Sequence, residues 1–163
     1  MVSKESVKRM ISNILAEVVN EEPHDSSNIM GTDTADRDSM YQLFCRIICA
    51  KEMSHMMHLN AVSGGEHLML EKIYEILDGM IDEFGEVYFM SRNIKIPNNP
   101  MEKANEYAEG NLEDRLNDML DLAQNICKAE EVDDGTKSLV SDCMKNIERC
   151  QGFLKQSKFD SEN

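Results

Sequence analysis

Between His55 and Glu86 the chain places histidines and carboxylates at intervals that suit metal ligation. On a helix of 3.6 residues per turn, His67, Glu71, Glu75, Asp78, Asp82 and Glu86 fall within roughly one quadrant. Leu70, Ile73, Ile76, Leu77, Met80, Ile81 and Phe84 fill the opposite side. One face therefore builds a core, and the other presents a line of oxygen ligands headed by an imidazole. A merely solvated face would mix lysine with glutamate. Here Lys72 is the only lysine, and it lies off the acidic line.

These ligands cannot all serve one metal within one chain. From His67 to Asp82 is about 22 Å along a helix, and Glu86 is one further turn away. A metal site spans only about 4 Å, since bonds to the ion are about 2 Å long. Asp82 and Glu86 must find their histidines on another molecule or have none. Two copies of the helix packed antiparallel about a two-fold axis bring His67 of one to Asp82 and Glu86 of the other. Two-fold dimers are the commonest symmetric assembly, and each would hold two such sites.

His55, His67 twelve residues later, Glu71 four further on, Asp82 fifteen after His67 and Glu86 four beyond make a five-position pattern. In spacing and residue type it resembles the inter-subunit ferroxidase centre of the Dps family, the mini-ferritins of the ferritin-like superfamily. The resemblance implies His55 and His67 as nitrogen ligands, Glu71 as a carboxylate of the same subunit, and Asp82 and Glu86 as the partner's carboxylates. It covers roughly residues 37–157 by helix order and implies a ferritin-like four-helix bundle assembled as a dodecamer. It further implies iron, with Fe(II) oxidised by hydrogen peroxide or dioxygen and stored as ferric mineral. The chain is a divergent member by this pattern. Met56 stands where the family usually has an aromatic residue, the family's glycine is displaced to Gly64-Gly65, and residues 1–36 have no counterpart.

The helices that must position these residues are legible from hydrophobic periodicity. Residues 4–20 carry Val7, Met10, Ile11, Ile14, Leu15 and Val18 at helical spacing, an extra N-terminal amphipathic helix. Residues 21–36 read as a linker, with His24 a surface histidine among acids. The acids around Asp33 lack the glycine and terminal glutamate of a calcium loop. A first core helix is predicted over 38–61, capped by Asp36 or Asp38, with Met40, Leu43, Phe44, Ile47 and Ile48 as its buried stripe. His55 lies almost on that stripe and His58 follows one turn later, outside the family pattern. Gly64-Gly65 is read as a tight turn, followed by a second core helix over 66–90.

Residues 91–100 hold two of the three prolines and should break the helix. A short helix over 101–109 would sit in the long crossover that a bundle needs if its second and third helices run parallel. Asn111 is the natural N-cap of the third core helix, with Glu113 and Asp114 placed for its dipole. Leu112, Leu116, Met119, Leu120, Ala123, Ile126 and Cys127 form its apolar face. Gly135 should end that region. The last helix, over 136–157, buries Leu139, Val140, Cys143, Ile147, Cys150 and Leu154, and residues 158–163 form an acidic tail. In the family, acids near the corner before this helix line three-fold pores; Glu130, Glu131, Asp133 and Asp134 occupy it here.

Composition narrows the function. A chain of 163 residues suits one sizeable core, and its 13 methionines make packing adaptable. Five cysteines without paired spacing or a C-x-x-C read as small core residues. The resemblance suggests DNA binding, but 17 basic residues against 31 acids, a net charge of −14, argue against it. No apolar run approaches a membrane span and MVSKESVKRM lacks a signal core, so a cytoplasmic protein is expected. Phosphate-loop, nucleophile-elbow and Rossmann glycine patterns do not occur.

Two readings follow. One is an iron-binding ferroxidase of mini-ferritin type that stores or detoxifies iron in a homo-oligomer, a two-fold dimer at least. The other is a non-catalytic ferritin-like structural or assembly protein, of a kind a virus could carry, docking through its N-terminal helix. A chance match in a purely helical interaction module is the remaining alternative.

Overall fold

The computed structural model describes residues 33–96 and 99–161, with side chains over 37–96 and 99–158. The predicted N-terminal helix, residues 21–32 of the predicted linker, Pro97-Asn98 in the crossover and the last two residues of the acidic tail lie outside these residues. The described residues are all-helical and contain no strand: α1 is Asp33–Asn60, α2 Gly64–Glu83, α3 Pro100–Asn105, α4 Leu112–Lys128 and α5 Asp134–Ser161. A π-helical segment, Phe84–Met90, continues α2 without a break.

The helix starts differ from expectation in two places. α1 begins at Asp33, so Asp36 and Asp38 lie inside it and neither is its N-cap. No glycine or proline occurs between Asp33 and Asn60 to stop the helix from extending toward its N-terminus. Gly64 and Gly65 are the first residues of α2 and not the turn before it. The turn is Ala61–Ser63, because Ser63 caps α2 by accepting from the Glu66 N–H at 3.1 Å. The Glu66 carboxylate returns to the Val62 N–H at 3.0 Å, a variant of the capping box.

The predicted apolar stripes meet in one core. Met40, Leu43, Phe44, Ile47 and Ile48 of α1 pack with Leu70, Ile73, Leu77, Met80 and Phe84, all buried. α4 adds Leu112, Leu116, Met119, Ala123 and Ile126, and α5 adds Leu139, Val140, Cys143, Ile147, Cys150 and Leu154. All five cysteines are free, and only Cys127 is not fully buried. Burial pushes the Cys143 thiol well up and the Cys150 thiol up to about 12, as expected of inert core sulfur.

Side-chain pairs fix the helix directions. The Phe44 and Phe84 rings lie 6.4 Å apart at one end of the α1–α2 hairpin, and His58 and His67 lie 3.9 Å apart at the other. α1 is antiparallel to α4 as well, since Met53 meets Leu112 around one cavity and Ser39 meets Ile126 around another. Glu113 pairs with Lys158 at 2.6 Å and Asn117 with Gln151 at 2.8 Å, which makes α4 antiparallel to α5. α2 and α4 therefore run in the same direction, and α1 and α5 in the other. Between α2 and α4 the chain returns to the end from which α2 starts, through a long crossover that holds α3.

That crossover is built from local chemistry. Pro100 occupies the first helical position of α3 and Asn99 caps it. The short helix is six residues long, ending four residues before the predicted limit. Gly110 has φ +92°, and a Cβ there would also come within 3.1 Å of Arg115 and Asp114. Asn111 then caps α4 as predicted, exchanging both bonds of a capping box with Asp114.

Gly135, expected to terminate a helix, lies in the first turn of α5. The preceding helix ends at Lys128, and Asp133 caps the start of α5, its carboxylate accepting from the Thr136 N–H at 3.0 Å and from its hydroxyl at 2.7 Å. A Cβ on Gly135 would stand 3.0 Å from that capping carboxylate, which gives the glycine a packing reason.

Candidate metal centre

α2 carries the predicted ligands on two separated ends. Its N-terminal end meets the C-terminal end of α1, and three histidines gather there. The His58 and His67 rings are 3.9 Å apart, and His55 lies 6.3 Å from His58. His55 is half-buried against Tyr74 of α2, with ring centroids 4.6 Å apart. His58 Nδ1 donates to the His67 carbonyl at 3.2 Å, and His67 Nδ1 donates to the His58 carbonyl at 3.2 Å. The His58 carbonyl, in the last turn of α1, also accepts from the Ala61 N–H at 3.3 Å, so it takes two donors. Glu71, one turn beyond His67, is half-buried.

Asp82 and Glu86 lie at the other end, exposed, and form no ion pair or side-chain hydrogen bond among the described residues. The structure thus groups His55 and His67 near one another through His58, and holds Asp82 and Glu86 far from them. Among the described residues, no three or more His, Cys, Asp or Glu side chains come together within the chain so as to hold a metal ion.

Between the two ends the acidic line is only partly free. Asp78 pairs with Lys51 of α1 at 3.4 Å, and that ammonium also lies 5.1 Å from the Tyr74 ring. Glu75 is exposed. Lys72, off the acidic line as expected, rests 5.2 Å from the Phe153 ring of α5. At the corner before α5, Asp133 is occupied by its cap and by Arg92, at 2.9 Å and 3.1 Å. Arg92, and then Thr136, hold its carboxyl well below the usual carboxylate range against the opposing effect of burial.

The π-helical winding is a feature that α-helical counting missed. Its signature is an N–H bonded five residues back, as in Ser91 to the Glu86 carbonyl at 3.1 Å and Ile94 to the Phe89 carbonyl at 2.8 Å. Phe84 and Phe89 are five apart, and both are buried, with Phe44 wedged against each. Asp82 and Glu86 straddle the change of winding at Phe84, so their separation is not one regular α-turn.

Sequence reasoning also gave no role to His58 or Tyr74, the two rings that order the histidine end. A groove of about 460 Å³ lies elsewhere, between α1, α4 and α5, over Met53, Met56, Met57, Leu112 and Leu154. Leu68, Val87 and Met90 along the α2 segment are 46%, 50% and 74% exposed, and Val62 just before it is 90% exposed. Among the described residues no helix is long and apolar enough to cross a membrane. No protein-family model, no curated protein and no solved structure matches this chain.

Proposed function

We propose that this chain is a ferroxidase and iron-storage or detoxification protein of mini-ferritin type, built as a ferritin-like four-helix bundle. Iron is its substrate and cargo. His55, His67 and Glu71 of one subunit would face Asp82 and Glu86 of a two-fold partner, and further copies would close a larger homo-oligomer. Imidazole and carboxylate donors without thiolate suit iron among the redox metals. Two Fe(II) ions would each give one electron to hydrogen peroxide, which takes up two protons and leaves as two waters; dioxygen is the alternative oxidant.

One observation carries this reading: a single continuous helical segment holds an imidazole at one end and two unpaired carboxylates at the other. Antiparallel pairing of two such segments completes both sites at once. It also supports the reading that exposed apolar side chains flank both ends, Val62 and Leu68 beside the histidines and Val87 and Met90 beside the carboxylates. The pairing would cover each set with the other. The long crossover between parallel α2 and α4 fits the bundle type.

The test is anaerobic addition of Fe(II), then hydrogen peroxide, while following ferric absorbance. The wild type is expected to oxidise iron rapidly and keep it soluble, and His67→Ala to lose this. Asp82→Ala/Glu86→Ala should fail alone, yet mixing the two variants should recover about a quarter of the sites. Half the dimers are then mixed, and each has one intact site of two. Mixing without recovery rules out the inter-subunit site.

A second reading, a non-catalytic ferritin-like structural or assembly protein, draws on the open methionine groove, a surface type that accommodates varied apolar partners. It is favoured if oxidation in every variant is no faster than in buffer.

A further inference from the structure

The reciprocal bonds between His58 and His67 determine where each ring carries its proton. A carbonyl oxygen only accepts, so both Nδ1 atoms must be N–H donors. A neutral imidazole has one N–H. Nε2 of each ring is therefore left with its lone pair, the form in which a histidine binds a metal. A metal-ligating histidine ordinarily donates its other nitrogen to a carbonyl or carboxylate, which fixes both tautomer and ring orientation. His67 has that partner already, in the His58 carbonyl. His55 differs: it has a ring neighbour in Tyr74, but its ring nitrogens make no hydrogen bond among the described residues.

His58 itself acts at three points on the same partner. Its carbonyl accepts from the His67 Nδ1–H, its ring lies 3.9 Å from the His67 ring, tilted by 33°, and its own Nδ1–H donates to the His67 carbonyl. The capping of α2 by Ser63 and Glu66 sets the distance across which these contacts form.

We infer that His58 is a positioning residue that locks His67 in the Nδ1–H tautomer and so presets Nε2 as the metal-binding nitrogen. The inference rests on the metal reading for its purpose but not for its geometry. The pattern shared with the mini-ferritins has no place for a residue at this position, so the clasp is a property of this hairpin.

The experiment uses the full chain, labelled with ¹⁵N and free of metal, at a pH where imidazole is neutral. Long-range ¹⁵N–¹H spectra report the tautomer of each histidine. Nδ1–H is expected for His58 and His67. His58→Ala keeps the carbonyl that accepts from His67 but loses the ring and the Nδ1–H that hold His67 against it, so the Nδ1–H population of His67 should fall in part, and its affinity for Co²⁺, an air-stable substitute for Fe(II), should fall by about 10- to 100-fold. His58→Phe, which keeps a ring and loses the donor, should give a smaller change and guards against simple unfolding. A wild-type His67 protonated on Nε2 overturns the inference, and so does a His58→Ala chain with unchanged tautomer and unchanged Co²⁺ affinity. If Co²⁺ binds His67→Ala as well as wild type, the metal reading falls, while the tautomer spectra still decide the clasp.

Discussion

The two ends of α2 hold their candidate ligands by opposite means. At the histidine end, polar contacts act directly on the functional groups: a serine cap, a glutamate bond to the turn, and two ring-to-carbonyl bonds. Each such bond contributes about 0.5–1.5 kcal/mol, and together they fix ring orientation. At the carboxylate end, the anchoring is apolar and acts on the backbone. Phe84, Tyr88 and Phe89 are almost fully buried within the π-helical segment, while Asp82 and Glu86 project into solvent. Burial of a phenylalanine-sized side chain contributes about 1.5–3 kcal/mol, more than any single bond at the other end. One end is prearranged in its side chains and the other only in its main chain. A partner that must bring an ion to both would meet a fixed imidazole and two carboxylates free to adjust.

The largest expected effect breaks the carboxylate end from beneath. Phe84→Ala should cost about 3–5 kcal/mol in urea denaturation, as for other buried aromatics. If the two ends are independently held, amide exchange in the described segment 84–90 should accelerate far more than at His58 and His67. Equal acceleration at both ends would show that α2 opens as one unit and that the contrast drawn above is static only.

The second effect concerns how the chain leaves the carboxylate end. Arg92 follows the π-helical segment and is tied to Asp133, the residue that caps the start of α5. Asp133→Ala should cost about 1 kcal/mol, the usual value of a lost N-cap, with the half-exposed ion pair adding little. The pH dependence has a definite sign. The folded carboxyl is held below its unfolded value of about 3.9, so the folded state resists protonation there. Its stabilising contribution is complete above that value and is lost as pH falls below it. Chemical denaturation from pH 6 down to pH 2.5 should therefore show a smaller acid loss for Asp133→Asn than for wild type. Matching profiles would remove the anchor.

Much of the helical core could be read from periodicity, because apolar spacing and burial are the same information when helices are regular. Every predicted core position of α1 and α5 is buried, and Asn111 caps α4 with the partner that its spacing implied. What failed were positions where a neighbour decides. Gly135 looked like a breaker because glycine usually is one, yet its role is to leave room for the Asp133 carboxylate. Gly64-Gly65 looked like the turn, whereas the Ser63 and Glu66 cap starts the helix two residues earlier, at Gly64. The ligand ladder showed which face of α2 each acid occupies, but not that Asp78 is taken by Lys51 or that the winding changes before Glu86. His58 was invisible as a clasp because its partner lies nine residues away across a turn. Spacing along one helix does not report contacts between two.

The smallest expected effect tests whether the two ends meet at all. In the proposed antiparallel pairing, His67 of one copy aligns with the interval between Asp82 and Glu86 of the other. The two-fold axis then passes near Glu75 and Ile76, about midway along that span. Glu75 is exposed, so the pairing sets the two copies of this carboxylate close to each other across the axis. Like charges at such a contact cost a few tenths of a kcal/mol, a penalty that salt reduces. Glu75→Gln should therefore tighten metal-free dimerisation by about two-fold in sedimentation equilibrium, and added salt should tighten the wild type more than the variant. A Glu113→Gln control, remote from α2 on α4, should leave the dimer unchanged. If Glu75→Gln weakens association, or if salt acts equally on both proteins, the axis does not pass through this face. The histidine end of one copy then has no geometric claim on the carboxylates of the other, whatever iron chemistry the assembled protein performs.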